Sequence, residues 1–241
     1  MQKKSITIAI PVYNEEIDLP KNIPILYSFL KQSMDSYDWK IVIVDNASID
    51  KTSEVGRKLA QQKNINYIKL EKKGRGLALR ECWNNSDDDY LAYMDIDLSS
   101  DIKFFPKLIS ALDSGAGIAI GSRLITGSKV YGRPILREIM SRGYSLLFRT
   151  FFGTSFSDAQ CGFKAITKSS WTKLEPLVDD KEWFFDSELL IIADKAKFRI
   201  AEIPIVWTDD PASTVKVAKT AWGDIKGLFR LFKEQPWKNL Q

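Results

Sequence analysis

Short, β-rich and mainly apolar runs punctuate the first half of the chain at residues 6–10, 40–44, 67–70, 90–94 and 118–120. Such runs fit strands buried on both faces. The stretches between them carry apolar residues at helical spacing and predict helices over 19–32, 52–62, 76–84 and 104–112. Pro20 and Pro24 fit only near the first turn of the first helix, and Asp50 or Thr52 caps the second. The strand–helix alternation predicts an α/β fold with a mostly parallel, doubly wound sheet and helices on both faces. In such sheets ligands bind beyond the carboxyl ends of the strands. That rule places residues 11–15, Asp45, residues 72–76 and residues 95–97 along one rim, and three of these segments bring carboxylates.

The second half is less regular. Residues 138–152 and 184–196 predict helices, 158–163 a loop and 200–207 a strand. Beyond residue 215, Trp222, Ile225, Leu228, Phe229 and Phe232 recur at helical spacing, with Lys219, Lys226, Arg230 and Lys233 opposite. This is a basic amphipathic helix, suited to a membrane surface or junction and equally to ordinary packing on a core. The chain thus divides into a domain over 1–210 and a basic amphipathic segment over 211–241, membrane-surface or juxtamembrane.

Composition narrows the chemistry. The chain has 241 residues, 44% of them hydrophobic, enough for a large core, and no apolar run approaches the ~20 residues of a membrane span. No secretory signal is visible, and a reducing cytosol is the default compartment. Two cysteines, Cys82 and Cys161, are too few for a disulfide framework, and Cys161 reads as a small buried residue. There is no histidine, which excludes a histidine-based nucleophile, metal ligand or base and leaves acid–base work to carboxylates. Any metal would be a hard ion on oxygen ligands, Mg²⁺ or Mn²⁺.

The net charge of +4 lies entirely in residues 211–241. Two inner segments are also polarised. Residues 86–101 hold six aspartates and no basic residue; residues 121–150 hold six basic residues against Glu138 alone. Charge counts alone favour solvated faces for both. Position singles out Asp95 and Asp97. One residue apart and just past a buried strand, they suit a divalent cation that cancels their repulsion and leaves sites for substrate phosphates. The turn Lys72-Lys73-Gly74-Arg75-Gly76 opens a helix whose N–H groups could meet a phosphate or a base. It is neither a Walker loop nor a dinucleotide loop.

Four motifs of the first half, Pro11-Val12-Tyr13-Asn14-Glu15, residues 44–50 (VDNASID), Lys73-Gly74-Arg75-Gly76 and residues 94–98 (MDIDL), come in an order and spacing that resembles the family-two, GT-A-fold glycosyltransferases. Gly121-Ser122-Arg123, residues 158–164 (DAQCGFK), residues 185–190 (FDSELL) and residues 202–207 (EIPIVW) look like the branch that makes polyprenyl- or dolichyl-phosphate sugars, the glucose synthases first and the mannose synthases next. The resemblance spans residues 5–216. It implies that Pro11, Tyr13, Glu15 and Asp45 hold the nucleoside, with Lys73 and Gly74 beside its base. Asp95 and Asp97 would hold the metal on the donor diphosphate, and Asp95 would also meet the nucleotide sugar. Arg123, Arg137 and Ser141 would face the acceptor phosphate, and Asp158 and Glu188 would be the catalytic residues near the reacting sugar. Asn46 stands where the family more often has a second Asp, and residues 210–216, ending in Lys216, match its Ser-Lys segment only loosely.

The activity so implied is inverting transfer of a hexose from a nucleotide sugar, UDP-glucose before GDP-mannose, to a polyprenyl or dolichyl phosphate. It would occur on the cytoplasmic side, peripheral to or tethered at a membrane. Alternatives remain at this stage: transfer to a glycan hydroxyl, a nucleotidyltransferase on a similar sheet, or a non-catalytic nucleotide-sugar-binding module. Blander roles also stand for single residues: Arg137 on a solvated helix face, Asp158 capping a turn, Glu188 paired with a basic neighbour. Residues 1–210 are neutral and carry no basic sheet interleaved with aromatics, which argues against nucleic acid.

Overall fold

A computed structural model of the chain describes residues 3–209 and 217–240, with only the backbone described over 217–221. Seven strands form one sheet: β1 (Ser5–Val12), β2 (Asp38–Asp45), β3 (Ile65–Lys69), β4 (Tyr90–Met94), β5 (Ile118–Ser122), β7 (Phe163–Thr167) and β8 (Ile200–Pro204). Their order is β3-β2-β1-β4-β7-β5-β8. Pairings are parallel except at β7, which runs antiparallel to both β4 and β5. A parallel ribbon of β6 (Lys129–Tyr131) and β9 (Val206–Thr208) stands apart from it.

Alternation along β1 sends Ile6, Ile8 and Ile10 into one apolar layer and Ala9 into the other. The first layer is closed by α1 (Leu19–Ser33), α2 (Thr52–Leu59) and α4 (Phe105–Asp113). The second is closed by α3 (Arg75–Asn84), α5 (Ile135–Phe152), α6 (Lys168–Leu174), α7 (Phe185–Lys195) and α8 (Val217–Glu234). Helices therefore cover both faces. Every strand and helix expected in the first half forms within a few residues of its expected bounds.

The second half departs from the pattern in three places. The expected 158–163 loop leads into β7, a central strand that its sequence disguises with Lys164 in mid-run; Lys164 is 2% exposed and finds Asp186 at 2.9 Å. The segment α6 was not anticipated. The single strand expected over 200–207 is two, because the chain passes from β8 to β9 at Ile205 and so changes sheet. Since β7 is antiparallel, its amino end lies beside the carboxyl ends of β4 and β5. Residues 158–162 are thereby delivered to the rim.

No helix among the described residues is long and apolar enough to cross a membrane. Helix α8 buries Leu228 and Leu231 in the second layer while Trp222, Phe229 and Phe232 stay exposed. Two polar anchors join it to the domain: Gln160 donates to Asp224 at 2.6 Å, and Arg230 donates to Glu188 at 2.6 Å. Gly227 lies so close to Phe184 that an added Cβ would overlap its ring.

Two outcomes test this docking. Gly227→Ala should lower stability by about 1–3 kcal/mol through overpacking, read from chemical denaturation. Burial pushes the Asp224 carboxyl up to about 7. The native state then holds a proton that the unfolded chain gives up at lower pH, so this residue's contribution to stability falls as pH rises from about 4 to 7. The gap in Tm between Asp224→Asn and the parent should move in the variant's favour across that range; a pH-independent gap would contradict the assignment.

Candidate functional site

Three loops at the carboxyl ends of β1, β2 and β4 each contain a non-glycine residue in the left-handed region: Asn14 (φ 57°), Ala47 (φ 60°) and Leu98 (φ 51°). Such conformations are costly for residues with a Cβ and are retained where surrounding contacts enforce them. Here the contacts are reciprocal: Asn14 N–H donates to Ser48 Oγ at 3.0 Å, and Ile49 N–H donates to Asn14 Oδ1 at 3.0 Å. The rim is a braced surface.

Asp95 and Asp97 follow β4 and flank Ile96, which is 5% exposed, so the buried isoleucine leaves the two carboxylates toward the rim. Asp97 accepts Ser99 N–H at 2.9 Å. Asp95 rests against Gly162, where a Cβ would occupy the space of its carboxylate. Its Oδ1 accepts Arg75 Nη2 at 2.6 Å. Arg75 lies over Trp183 (4.9 Å) and Tyr93 (5.5 Å), with Nε 3.9 Å from Asp186 Oδ2. Asp186 in turn accepts from Tyr93 and Lys164. A buried chain of alternating charge therefore runs inward from Asp95.

The nucleoside side is only partly as expected. Pro11 lies in β1 opposite Val44. Lys73 Nζ sits 3.1 Å from the ring centre of Tyr13, which brings the loops after β1 and β3 together. Glu15 is pushed up to about 7, first by burial and then by Asp18, Asp97 and Asp50. Asp45 is fully buried and accepts Ser48 N–H (2.8 Å), Ser53 Oγ (2.6 Å) and Tyr67 Oη (2.7 Å). Burial alone would raise it, but these donors hold it below the usual carboxylate range. In this conformation it braces its loop. The glycine turn packs inward. Gly74 N–H donates to Asn46 Oδ1 at 2.7 Å, and Gly76 and Leu77 donate to the carbonyls of Glu182 and Lys181. The glycines serve close packing against residues 180–185, and those N–H groups are not offered to a phosphate.

On the other side of the 158–162 loop, Arg123 and Asp158 form one buried pair. Arg123 N–H, Nε and Nη2 reach the Asp158 carboxylate at 2.9, 2.8 and 2.8 Å. The guanidinium lies 4.8 Å from the Trp207 ring centre. Burial opposes the ionised form of Asp158, yet Arg123 holds it below the ordinary range. Glu202 of β8 accepts Ser157 Oγ and Asp158 N–H, which fixes the loop. Arg137 donates to Asp209 at 2.8 Å, and Ser141 accepts Arg133 Nη2 at 2.8 Å. Burial, then the charge of Arg123, lowers the pKa of Arg133. Three arginines thus gather around Asp158 and Asp209, four residues along the loop from the glycine that seats Asp95.

Glu188 takes the blander role that stood beside the catalytic one, pairing with a basic neighbour. It is 0% exposed, accepts Asp179 and Asp180 N–H at 3.1 and 2.6 Å, and pairs with Arg230. Burial raises its pKa. Two positions apart on a helix point roughly 200° apart, so α7 turns Asp186 toward Arg75 and Glu188 toward α8. Arg75, Asp186, Lys164 and Arg133 were not singled out from sequence as site residues, although all four lie in segments that were quoted. Lys216 lies outside the described residues. A separate groove of about 520 Å³, lined by Thr7, Lys40, Arg57, Asn66 and Ser86 among others, opens toward the amino ends of β1 and β2, away from this rim.

Comparison with known proteins identifies the family and the fold. Residues 7–173 match the family model described as Glycosyl transferase family 2. The chain is 31% identical over 215 residues to Glycosyltransferase AglD of Haloferax volcanii, covering 88% of this chain and 34% of that protein. It is 30% identical over 233 residues to Dolichyl-phosphate beta-glucosyltransferase of Saccharomyces cerevisiae, covering 88% of this chain and 70% of that one. The chain therefore spans about a third of the first relative and about two-thirds of the second. Among solved structures it is similar to glucosyl-3-phosphoglycerate synthase from Mycobacterium tuberculosis in complex with Mn²⁺, UDP-glucose and phosphoglyceric acid, with a TM-score of 0.70, 16% identity, and 95% of this chain and 80% of that one covered. The chain belongs to glycosyl transferase family 2, and its fold is the GT-A fold of nucleotide-diphospho-sugar transferases.

Proposed function

We propose that the protein transfers a hexose, glucose before mannose, from a nucleotide-diphosphate sugar to a polyprenyl or dolichyl phosphate at a membrane surface. The observation that carries this reading is the 158–162 loop, which presents Gly162 to Asp95 at one end and Asp158 to Arg123 at the other. One loop thus joins the Asp95 region, read as the seat of the donor's ion and diphosphate, to Arg123, read as the acceptor-phosphate side. The named activities of the yeast relative and of the Pyrococcus furiosus dolichol-phosphate mannosyltransferase, 28% identical over 95% of this chain, support the lipid phosphate as acceptor.

Asp95 and Asp97 suit Mg²⁺ or Mn²⁺: the donors are hard oxygens, and Asp95 already attracts a cation in Arg75. Among the described residues no set of three or more metal-ligating side chains gathers, so the diphosphate would complete the coordination. When bound, the ion stabilises charge on the departing diphosphate. The rest falls to the chain's own residues. The C1–O bond to the nucleotide breaks, and an acceptor phosphate oxygen bonds C1 from the opposite face, inverting it. The arginines bring the two anions together and orient the acceptor. A lipid monophosphate has a second pKa of about 6 and is largely dianionic at neutral pH, so it needs no base. Asp158, saturated by three donors from Arg123, is suited to aim that arginine and ill suited to take a proton, which favours a phosphate acceptor over a glycan hydroxyl.

The membrane side of the proposal rests on α5 and α8. Ile135, Leu136 and Ile139 stand exposed on the first turns of α5, beside Arg133 and Arg137. Further along, Phe151 meets Phe229 and Phe232 of α8 edge-on at 6.3 and 6.2 Å, joining the exposed apolar faces of both helices. Exposed apolar surface of this kind, edged by Arg142 and Lys226, fits the interface of a bilayer. On this reading a lipid tail would lie along α5, next to the arginines that would hold its phosphate.

The test is a transfer assay with UDP-glucose or GDP-mannose, Mn²⁺ or Mg²⁺, and polyprenyl phosphate in vesicles; a polyprenyl-phosphate hexose is the expected product. Transfer to a small phosphorylated acid or a glycan, with none to the lipid, would overturn the acceptor. Asp158→Asn should keep roughly 1–10% of turnover, the loss expected for hydrogen bonds to a charged group; complete loss would point to a base. Gly162→Ala should abolish transfer while the protein stays folded by circular dichroism, because the added Cβ displaces Asp95.

A further inference from the structure

Arg75 occupies the place on Asp95 that a divalent ion would need, and it has somewhere else to go. We propose that Arg75 is a positioning residue that neutralises Asp95 while no ion is bound and swings to Asp186 when one arrives, so that ion and nucleotide bind as a coupled pair. The proposal rests on the reading of Asp95 and Asp97 as ion ligands.

Two seats for one guanidinium are visible. In the first, Nη2 is 2.6 Å from Asp95 Oδ1. The second is Asp186. Its Oδ1 takes Tyr93 and Lys164, whereas its Oδ2 faces Arg75 Nε at 3.9 Å, too long for a hydrogen bond. Arg75 Nε is buried and has no hydrogen-bond partner. A buried donor left unpaired costs free energy, and a small side-chain shift toward Asp186 removes that cost.

The surroundings permit that shift and little else. Trp183 and Tyr93 give the guanidinium two aromatic walls. The backbone cannot follow, because Gly74 and Gly76 are packed against residues 180–185. Asp95 keeps 26% of its side chain exposed, so a small ion can reach it.

Charge makes the exchange conditional. Asp95, Asp186, Arg75 and Lys164 balance one another as they stand. An ion arriving alone must displace Arg75 from its ion pair; an ion arriving with a diphosphate brings its own compensating charge. Nucleotide should therefore strengthen ion binding, and the ion should strengthen nucleotide binding by the same factor.

The experiment measures Mn²⁺ binding by electron paramagnetic resonance, with and without UDP, on the parent, Arg75→Gln and Asp95→Asn. If Arg75 holds Asp95 in nine molecules of ten, Arg75→Gln binds Mn²⁺ alone about tenfold more tightly, and the enhancement by UDP shrinks to match. Trp183 supplies a second readout: Mn²⁺ with UDP should change the tryptophan emission of the parent, and the change should vanish in Arg75→Gln and in Trp183→Phe. Mn²⁺ binding no tighter in Arg75→Gln than in the parent overturns the proposal. Should that variant fail to fold, Arg75→Met, which also removes the charge while keeping a long side chain, is judged by the same measurement. Unchanged Mn²⁺ binding in Asp95→Asn would instead overturn the ion site itself.

Discussion

Four carboxylates crowd one side of this sheet, at Glu15, Asp95, Asp97 and Asp186, and the rim is tenable only because cations are interleaved with them. Arg75 touches Asp95 and faces Asp186, and Lys164 closes the series from inside the sheet. Burial makes Asp186 and Lys164 in particular expensive as lone charges. Burial first, and then the charges of Asp18, Asp97 and Asp50, push Glu15 up to about 7. A site proposed to receive a diphosphate and a phosphate together would be organised by charge, and charge alternates along the Asp95, Arg75, Asp186 and Lys164 series.

The same logic governs the acceptor side. Arg123 is fully committed to Asp158, and that pair is supported by Trp207 beneath and by Glu202 holding the loop. Such a pair is costly to break and therefore rigid, which is what orientation of a second anion requires. Arg133 and Arg137 stand beside it at the start of α5, whose exposed apolar turn continues outward. Basic side chains and exposed apolar surface are continuous along one helix, the feature on which the proposed lipid-phosphate acceptor rests.

Much of this was legible in the chain itself. The first half obeys local rules: apolar runs of strand length, capped helices, and loops at a shared rim follow from periodicity alone, and Asp95 with Asp97 stood out because two carboxylates past a buried strand need a reason. The family resemblance, through residues 121–123 and 158–164, also implied Arg123 and Asp158 as site residues. What it could not reveal was that they are partners, since they lie far apart in sequence and come from the end of β5 and the approach to β7.

The remaining assignments depended on tertiary structure, for physical reasons that can be named. Strand β7 carries a lysine in mid-run, and only Asp186 and Tyr93, brought from other elements, make that lysine tolerable in a sheet centre. Asp186 and Glu188 look interchangeable as letters, but the helical turn sends them to opposite surroundings. The glycines of residues 74–76 suggested a phosphate cradle, whereas packing against residues 180–185 uses the same lack of a side chain for another purpose. Local pattern determined the elements, the rim and the kind of charge found there; which charges meet, and which are spent on holding the fold, was decided by contacts between segments remote in sequence.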